Sequence, residues 1–157
     1  MEITEEAMKE IKRISQTLRP GILDDFGFIP ALKSFIEDYM KTYHIQVRFE
    51  FSGDKERLNP EIETQLYRIC QEALTNIAKH AAAKFVNISI SVNMQEIILI
   101  LKDDEHGFRV NSYLKDHERK GIGLFSMKER AESLGGTFDI YSKENQGTEI
   151  IVRIPRI

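Results

Sequence analysis

The sequence predicts a mixed α/β fold in two layers, a five-stranded sheet covered by helices on one face. Three observations carry this. Ile45 to Phe51 and Val86 to Val92 place apolar residues at every second position, the period of a half-buried strand. Between them lies a long stretch with apolar residues at helical spacing, opened by Asn59-Pro60-Glu61. Near the C-terminus another helical stretch leads into two further strand-like runs, Thr137 to Tyr141 and Thr148 to Ile154.

Taken in order, the opening residues read as a helix. Ile3, Ala7, Ile11, Ile14 and Leu18 share one side, and Glu2, Glu5, Glu6, Lys9, Glu10, Lys12 and Arg13 make up the polar remainder. Leu18-Arg19-Pro20-Gly21 stops it, since the residue before proline avoids the helical region. This helix either packs on its own domain or belongs to a larger bundle. After Asp24-Asp25 a second helix is expected from about Gly27 to Tyr43, with Ile29, Leu32, Phe35, Ile36, Tyr39 and Met40 at core spacing. The strand from Ile45 follows. The helix opened by Pro60 is expected to reach about Ala82. Val86 to Val92 then alternates, Asn93 to Gln95 turns, and Glu96 to Lys102 returns as a more fully buried strand. From Asp103 to Lys120 regularity lapses, and an irregular stretch of that length is often functional. Leu124, Met127, Ala131 and Leu134 restore a helix, which Gly135-Gly136 ends. The last two strands form a hairpin around Asn145-Gln146-Gly147.

Composition narrows the function. The 157 residues are 41% hydrophobic and 30% charged, with 9 Gly and 4 Pro, which fits one folded domain rather than a disordered chain. Charge sums to 22 − 25 = −3, so no nucleic-acid partner is expected, because a phosphate-backbone binder needs a positive surface. The longest purely apolar run, Ile97 to Leu101, is far too short to span a bilayer, and no membrane contact is expected. Met1 leads into Glu2, Glu5 and Glu6 rather than a basic-then-apolar signal. Cys70, the single cysteine, excludes an internal disulfide. A cytoplasmic chain is expected.

Three groups of residues could carry chemistry. On the helix from Pro60, Leu66, Ile69, Cys70, Ala73, Ile77 and Ala81 form the core stripe, and Glu72, Asn76, Lys79 and His80 lie opposite. Spacing alone favours a solvated face. The functional reading is a Mg²⁺–phosphate edge: a carboxamide oxygen suits an ion that keeps most of its waters, and a lysine one turn on meets a phosphate as a point charge. The second group is Lys102-Asp103-Asp104-Glu105-His106-Gly107-Phe108, at a strand end where regularity fails. A buried carboxylate there can accept from an exocyclic amine and reject a ring carrying a carbonyl instead. An acidic loop tip is the plain alternative. A metal site is weaker, because adjacent residues rarely converge on one ion. Third, Lys120-Gly121-Ile122-Gly123-Leu124 opens a helix, where glycines and free amides favour phosphate. Gly147-Thr148 adds a weaker signal at the hairpin.

In that order, the groups resemble the catalytic domain of sensor histidine kinases. Gln71-Glu72-Ala73-Leu74-Thr75-Asn76-Ile77-Ala78-Lys79-His80-Ala81 is similar to their N box. Asp103 to Phe108 stands where their Asp-x-Gly-x-Gly box lies, Gly121 to Ala131 resembles the next glycine box, and Gly147-Thr148 the last. Leu18 to Gly27 resembles the hinge after the dimerisation helices in the subgroup of nitrate and degradative-enzyme sensors. The resemblance implies a Bergerat-type ATP-binding sandwich. It implies that Asp103 binds the adenine amine and Asn76 ligates Mg²⁺, with Glu72 supporting the metal or its water. Lys79 and His80 would line the phosphate side, Lys120, Gly121 and Leu124 would belong to the nucleotide site, and Gly107, Gly121 and Gly123 would shape the adenine loop and the lid's return. Thr148 would complete the adenine floor and Phe108 to Lys120 would be the mobile ATP lid.

Function follows as an expectation. Residues 1–25 would end the dimerisation and phosphoacceptor region, and 26–157 would be the catalytic ATP-binding domain. The kinase would act as a homodimer, moving the γ-phosphoryl group of Mg·ATP to a histidine and then to an aspartate of a response regulator. Two departures stand out. Glu105 occupies the place of the first glycine in its box, and none of His44, His80, His106 or His117 lies in the family's phosphoacceptor setting. The chain alone is therefore expected not to autophosphorylate. Two other readings stay open: a stand-alone ATPase or serine kinase of the same fold, and an interaction domain that Glu105 has rendered unable to bind nucleotide.

Overall fold

The computed structural model describes residues 21–54, 56–80, 83–104, 118–143 and 146–156. The expected first helix and the segment from Glu105 to His117 lie outside them. Among the described residues, four helices and five strands follow in order: α1 (Gly21–Phe26), α2 (Phe28–Tyr43), β1 (Gln46–Gly53), α3 (Pro60–His80), β2 (Phe85–Val92), β3 (Glu96–Asp103), α4 (Glu118–Ser133), β4 (Thr137–Lys143) and β5 (Gly147–Pro155). The strands make one mixed sheet in the order β1-β2-β3-β5-β4. Only β1 and β2 run parallel, which requires the long crossover that α3 supplies.

Strand alternation builds the core. Ile88, Leu101 and Ile150 are cross-strand partners, as are Ile90, Leu99 and Val152, and then Val92, Ile97 and Ile154. All nine side chains are buried. Above these rows lie Leu66, Ile69, Cys70, Ala73 and Ile77 of α3 and Leu124, Met127 and Ala131 of α4, also buried. Truncating one such aliphatic to alanine costs about 2–5 kcal/mol, so these rows dominate the stability of the domain. α2 packs beside α3, and α3 beside α4, which completes the second layer.

Local signals set the element ends. The Asn59 carboxamide oxygen accepts the Glu61 N–H at 2.9 Å, the cap that starts α3. Asn93 Oδ1 accepts the N–H groups of Gln95 and Glu96, both at 2.8 Å, and fixes the β2–β3 turn. The N–H groups of Gly135 and Gly136 return to the carbonyls of Glu132 and Ala131 and end α4.

Three details differ from the sequence expectation. Gly21, placed there as part of a stop, begins the short helix α1, and fully buried Leu23 anchors that helix in the core. A break follows at Gly27, whose φ of 92° is open to glycine at little cost. The stretch expected to lack regularity, Asp103 to Lys120, is regular at both described ends, since Asp103 is the last residue of β3 and α4 begins at Glu118. Gly121 therefore lies in the first turn of α4 and Gly123 just beyond it.

Candidate functional site

Alternation along β3 turns Ile97, Leu99, Leu101 and then Asp103 inward. A carboxylate thus continues a row of aliphatic side chains, and it is only 4% exposed. Asp103 Oδ1 accepts the Thr148 N–H at 3.3 Å. That contact depends on Gly147, whose φ is 83° and whose absent Cβ would overlap the Asp103 carbonyl oxygen. Thr148 is itself 7% exposed, with its hydroxyl 3.0 Å from that of Ser142. The ends of β3, β4 and β5 converge here on one buried acid.

The neighbouring Asp104 has a different task. Its Oδ1 accepts the N–H groups of Lys84 and Phe85, both at 3.1 Å, and so fixes the start of β2 against the end of β3. Of the acidic run, Asp103 alone among the described residues faces the core. Glu105, His106 and Gly107 lie outside the described residues.

The polar stripe of α3 forms the second part. Glu72 and Asn76 are half-buried and Lys79 is exposed, while the His80 side chain is outside the description. Glu72 and Asn76 meet α4 at Gly123: a Cβ there would lie 2.7 Å from Glu72 Oε1 and 3.1 Å from Asn76 Nδ2. The glycine admits these two polar ends between the helices. Asn76 Nδ2 is buried and finds no hydrogen-bond partner among the described residues. An amide left unpaired in this way costs free energy, so the position suits a ligand atom. Arg130 braces the helix pair further along, donating to Gln65 Oε1 at 2.7 Å. Lys120 and Gly121 belong to the first turn of α4, with side-chain surroundings undescribed, and Leu124 is buried in the core cluster.

Both parts sit at one end of the sheet. α3 ends at His80, and the chain re-enters the sheet at Phe85, beside Asp104. Cys70 lies fully buried on the core stripe, where desolvation pushes its thiol up to about 12. It is a packing residue, as its position in the sequence suggests.

Two polar residues escaped the sequence reading. Glu63, 2% exposed, accepts the Phe28 N–H at 2.7 Å and the Arg57 Nε–H at 3.1 Å. Arg57 reaches on to the carbonyls of Asp25 and Asp24, each at 3.5 Å. The signal was available: Glu63 lies three and four residues before Leu66 and Tyr67, on the apolar side of α3. The other is Tyr39, counted as core by spacing, whose hydroxyl is buried without a partner among the described residues.

A mixed sheet under one helical layer thus carries a buried acid at a strand end, a polar stripe on one helix and a glycine-bearing neighbour helix. Residues 61–157 match the family described as histidine kinase-, DNA gyrase B- and HSP90-like ATPase, and the chain belongs to that family. Within it, the chain is an ATP-binding catalytic domain of the sensor histidine kinase type. It is 37% identical over 146 residues to the oxygen sensor histidine kinase NreB of Staphylococcus carnosus, covering 93% of this chain and 41% of that protein. It is 36% identical over 170 residues to the signal transduction histidine-protein kinase/phosphatase DegS of Bacillus subtilis, covering 96% of this chain and 43% of that protein. The chain thus spans about two fifths of the length of these relatives. Solved structures agree on the fold. The blue-light activated histidine kinase EL346 of Erythrobacter litoralis superposes with a TM-score of 0.67 at 17% identity, covering 82% of this chain and 42% of that one. The catalytic domain of the histidine kinase ThkA gives 0.62 at 16% identity, covering 82% and 90%.

Proposed function

We propose that this domain binds Mg·ATP with its base against Asp103 and its phosphates toward Asn76. The domain would present the γ-phosphoryl group to a histidine of a dimerisation region, from which a response-regulator aspartate takes it. The observation that carries this reading is the buried Asp103 carboxylate, held by the Thr148 N–H through the close approach of Gly147. An acid so placed is an acceptor that selects an exocyclic amine.

The α3 residues fit a magnesium ion. The Asn76 Nδ2 group is buried and unpaired among the described residues, and with the Glu72 carboxylate it lies close against Gly123. Turning that amide exchanges its oxygen and nitrogen, and the oxygen is a hard ligand of the kind Mg²⁺ takes. Bound Mg·ATP supplies the phosphoryl group and neutralises charge on it. Asn76 would hold the ion and Glu72 would orient a water on it. Lys79, His80, Lys120 and Gly121 would face the phosphates, Gly107 would shape the base loop, and Thr148 would close its floor. The domain's contribution is then positioning and electrostatics rather than covalent chemistry.

The partners in this reading are the protein's own dimerisation and phosphoacceptor region, within which residues 1–25 would lie, and a response regulator. A cytoplasmic setting suits both. Among the described residues, no helix is long and apolar enough to cross a membrane. Calorimetry of the wild type, Asp103→Ala and Asn76→Ala tests the site. Asp103→Ala should weaken ATP binding by about 1–3 kcal/mol, and Asn76→Ala should weaken it chiefly when Mg²⁺ is present. Equal affinity of the wild type for ATP and GTP would overturn the assignment. Glu105, beside the base in this reading, is expected to hinder it, so Glu105→Gly should tighten ATP binding.

A further inference from the structure

Tyr39 holds a polar group that packing does not explain. It sits near the end of α2, its ring stacked on Phe35 at 6.3 Å and tilted against Tyr43 at 5.0 Å. The residue is 3% exposed, and its hydroxyl has no hydrogen-bond partner among the described residues. Buried phenols ordinarily bond something, because leaving one unpaired costs free energy. Apolar packing alone would be served as well by phenylalanine. The hydroxyl therefore marks a place where a polar atom from outside the described residues completes the structure.

The chain path shows which place. α2 ends at Tyr43, and β1 begins at Gln46, whose N–H donates to the Lys84 carbonyl at 2.9 Å. Lys84 and Phe85 in turn donate to Asp104 Oδ1. The end of α2 is thereby fixed at the end of the sheet where Asp103 closes β3. Tyr39 lies one helical turn before Tyr43, on the buried side of α2. Its phenol is raised above its ordinary value, first by burial, then by Tyr43 and by Asp103, which puts Asp103 within electrostatic reach. A buried carboxylate that accepts and a buried hydroxyl able to donate thus lie toward the same end of the sheet.

That pair matches one purine edge. Adenine presents an amine donor flanked by ring nitrogens that accept, whereas guanine presents a carbonyl in place of the amine. We propose that the Tyr39 hydroxyl donates to an acceptor nitrogen beside the adenine amine, directly or through one ordered water, and sets base selectivity together with Asp103. This rests on the nucleotide reading above and extends the site to a helix that carries none of the motif residues. The hydroxyl is unpaired among the described residues, and a bound base would satisfy it.

The test is Tyr39→Phe in the whole chain, with two measurements on variant and wild type. One is the urea midpoint without nucleotide; the other is calorimetric affinity for Mg·ATP and Mg·GTP. The midpoint should be unchanged or higher, because an unpaired hydroxyl has been removed. ATP affinity should fall roughly three- to tenfold, and the preference for ATP over GTP should narrow. A lowered midpoint overturns the proposal, since it means the hydroxyl already has a structural partner. Unchanged ATP affinity in the variant, when the wild type binds ATP, overturns the role of Tyr39 alone. A wild-type chain that does not bind ATP overturns the nucleotide reading itself, and this role with it.

Discussion

Gly147 passes so close to Asp103 that any side chain at 147 would overlap the Asp103 carbonyl oxygen. The same approach brings the Thr148 N–H to the Asp103 carboxylate. Strand pairing and the placement of the buried acid are therefore one event, not two. Gly147→Ala forces either a shifted backbone or a strained positive φ, at an expected cost of about 2–4 kcal/mol. Urea denaturation should show that loss, and calorimetry should show weakened ATP binding at temperatures where the variant remains folded.

Gly123 predicts a different outcome. The atoms a Cβ would meet are the ends of the Glu72 and Asn76 side chains, at 2.7 and 3.1 Å, and such ends can swing away. Gly123→Ala should keep the fold, since alanine is also the better helix former by about 0.8–1 kcal/mol. The side chains it displaces are those proposed to hold the ion. Mg²⁺-dependent ATP affinity should fall while the melting temperature holds or rises.

Glu63 separates a buried hydrogen bond from an ion pair. The Phe28 N–H it accepts is buried, so Glu63→Ala should cost about 1–3 kcal/mol for that group. The Arg57 side chain is half exposed but the Glu63 carboxylate is not, so removing Arg57 leaves a buried charge short of its cation. Glu63→Gln, which removes that charge and keeps an oxygen for the Phe28 N–H, should therefore destabilise the domain less than Arg57→Ala in parallel urea titrations.

Asp54 gives a pH dependence. Its carboxylate accepts the Glu56 N–H and pairs with Arg156 at 2.9 Å, and these hold its pKa below the ordinary 3.8. A depressed folded value means that stability from this group is full above the ordinary value and is lost as pH falls through the folded one. Asp54→Asn should lower stability at pH 7 and flatten its dependence on pH below 4. Thermal melts of both proteins across pH 2.5 to 7 would show it.

Cys70 provides a readout of opening. The thiol is fully buried and pushed up to about 12, so thiolate at pH 8 is scarce and sealed in. Iodoacetamide should label the native domain only at the rate of unfolding, and the urea-denatured chain at once. Rapid labelling of native protein would contradict this packing.

The strands and long helices were legible because their signals are local: alternation at Val86 to Val92 and the Asn59-Pro60 cap needed no tertiary context. α1 was not, since a helix of six residues has too few turns to show a period, and only the burial of Leu23 reveals it. Asp103 and Asn76 were named from motif order, yet their surroundings depend on residues far along the chain, Thr148 for one and Gly123 for the other. Tyr39 and Glu63 were hidden for a further reason. Each occupies a position where an apolar residue would serve, so only unpaired or satisfied polar atoms distinguish them from core.

The parallel pairing of β1 with β2 bears on how the molecule assembles. Gln46 finds Phe85 across the whole length of α3, whereas β2–β3 and β4–β5 pair strands only a few residues apart in sequence. Closing a long loop loses more chain entropy before any contact rewards it. The two hairpins should thus form early, and the N-terminal edge should dock last, guided by α3 once that helix lies on the sheet. Core substitutions at Ile90 or Leu99 are expected to slow refolding. Equally destabilising changes at Val47 or Phe49 should act mainly by speeding unfolding.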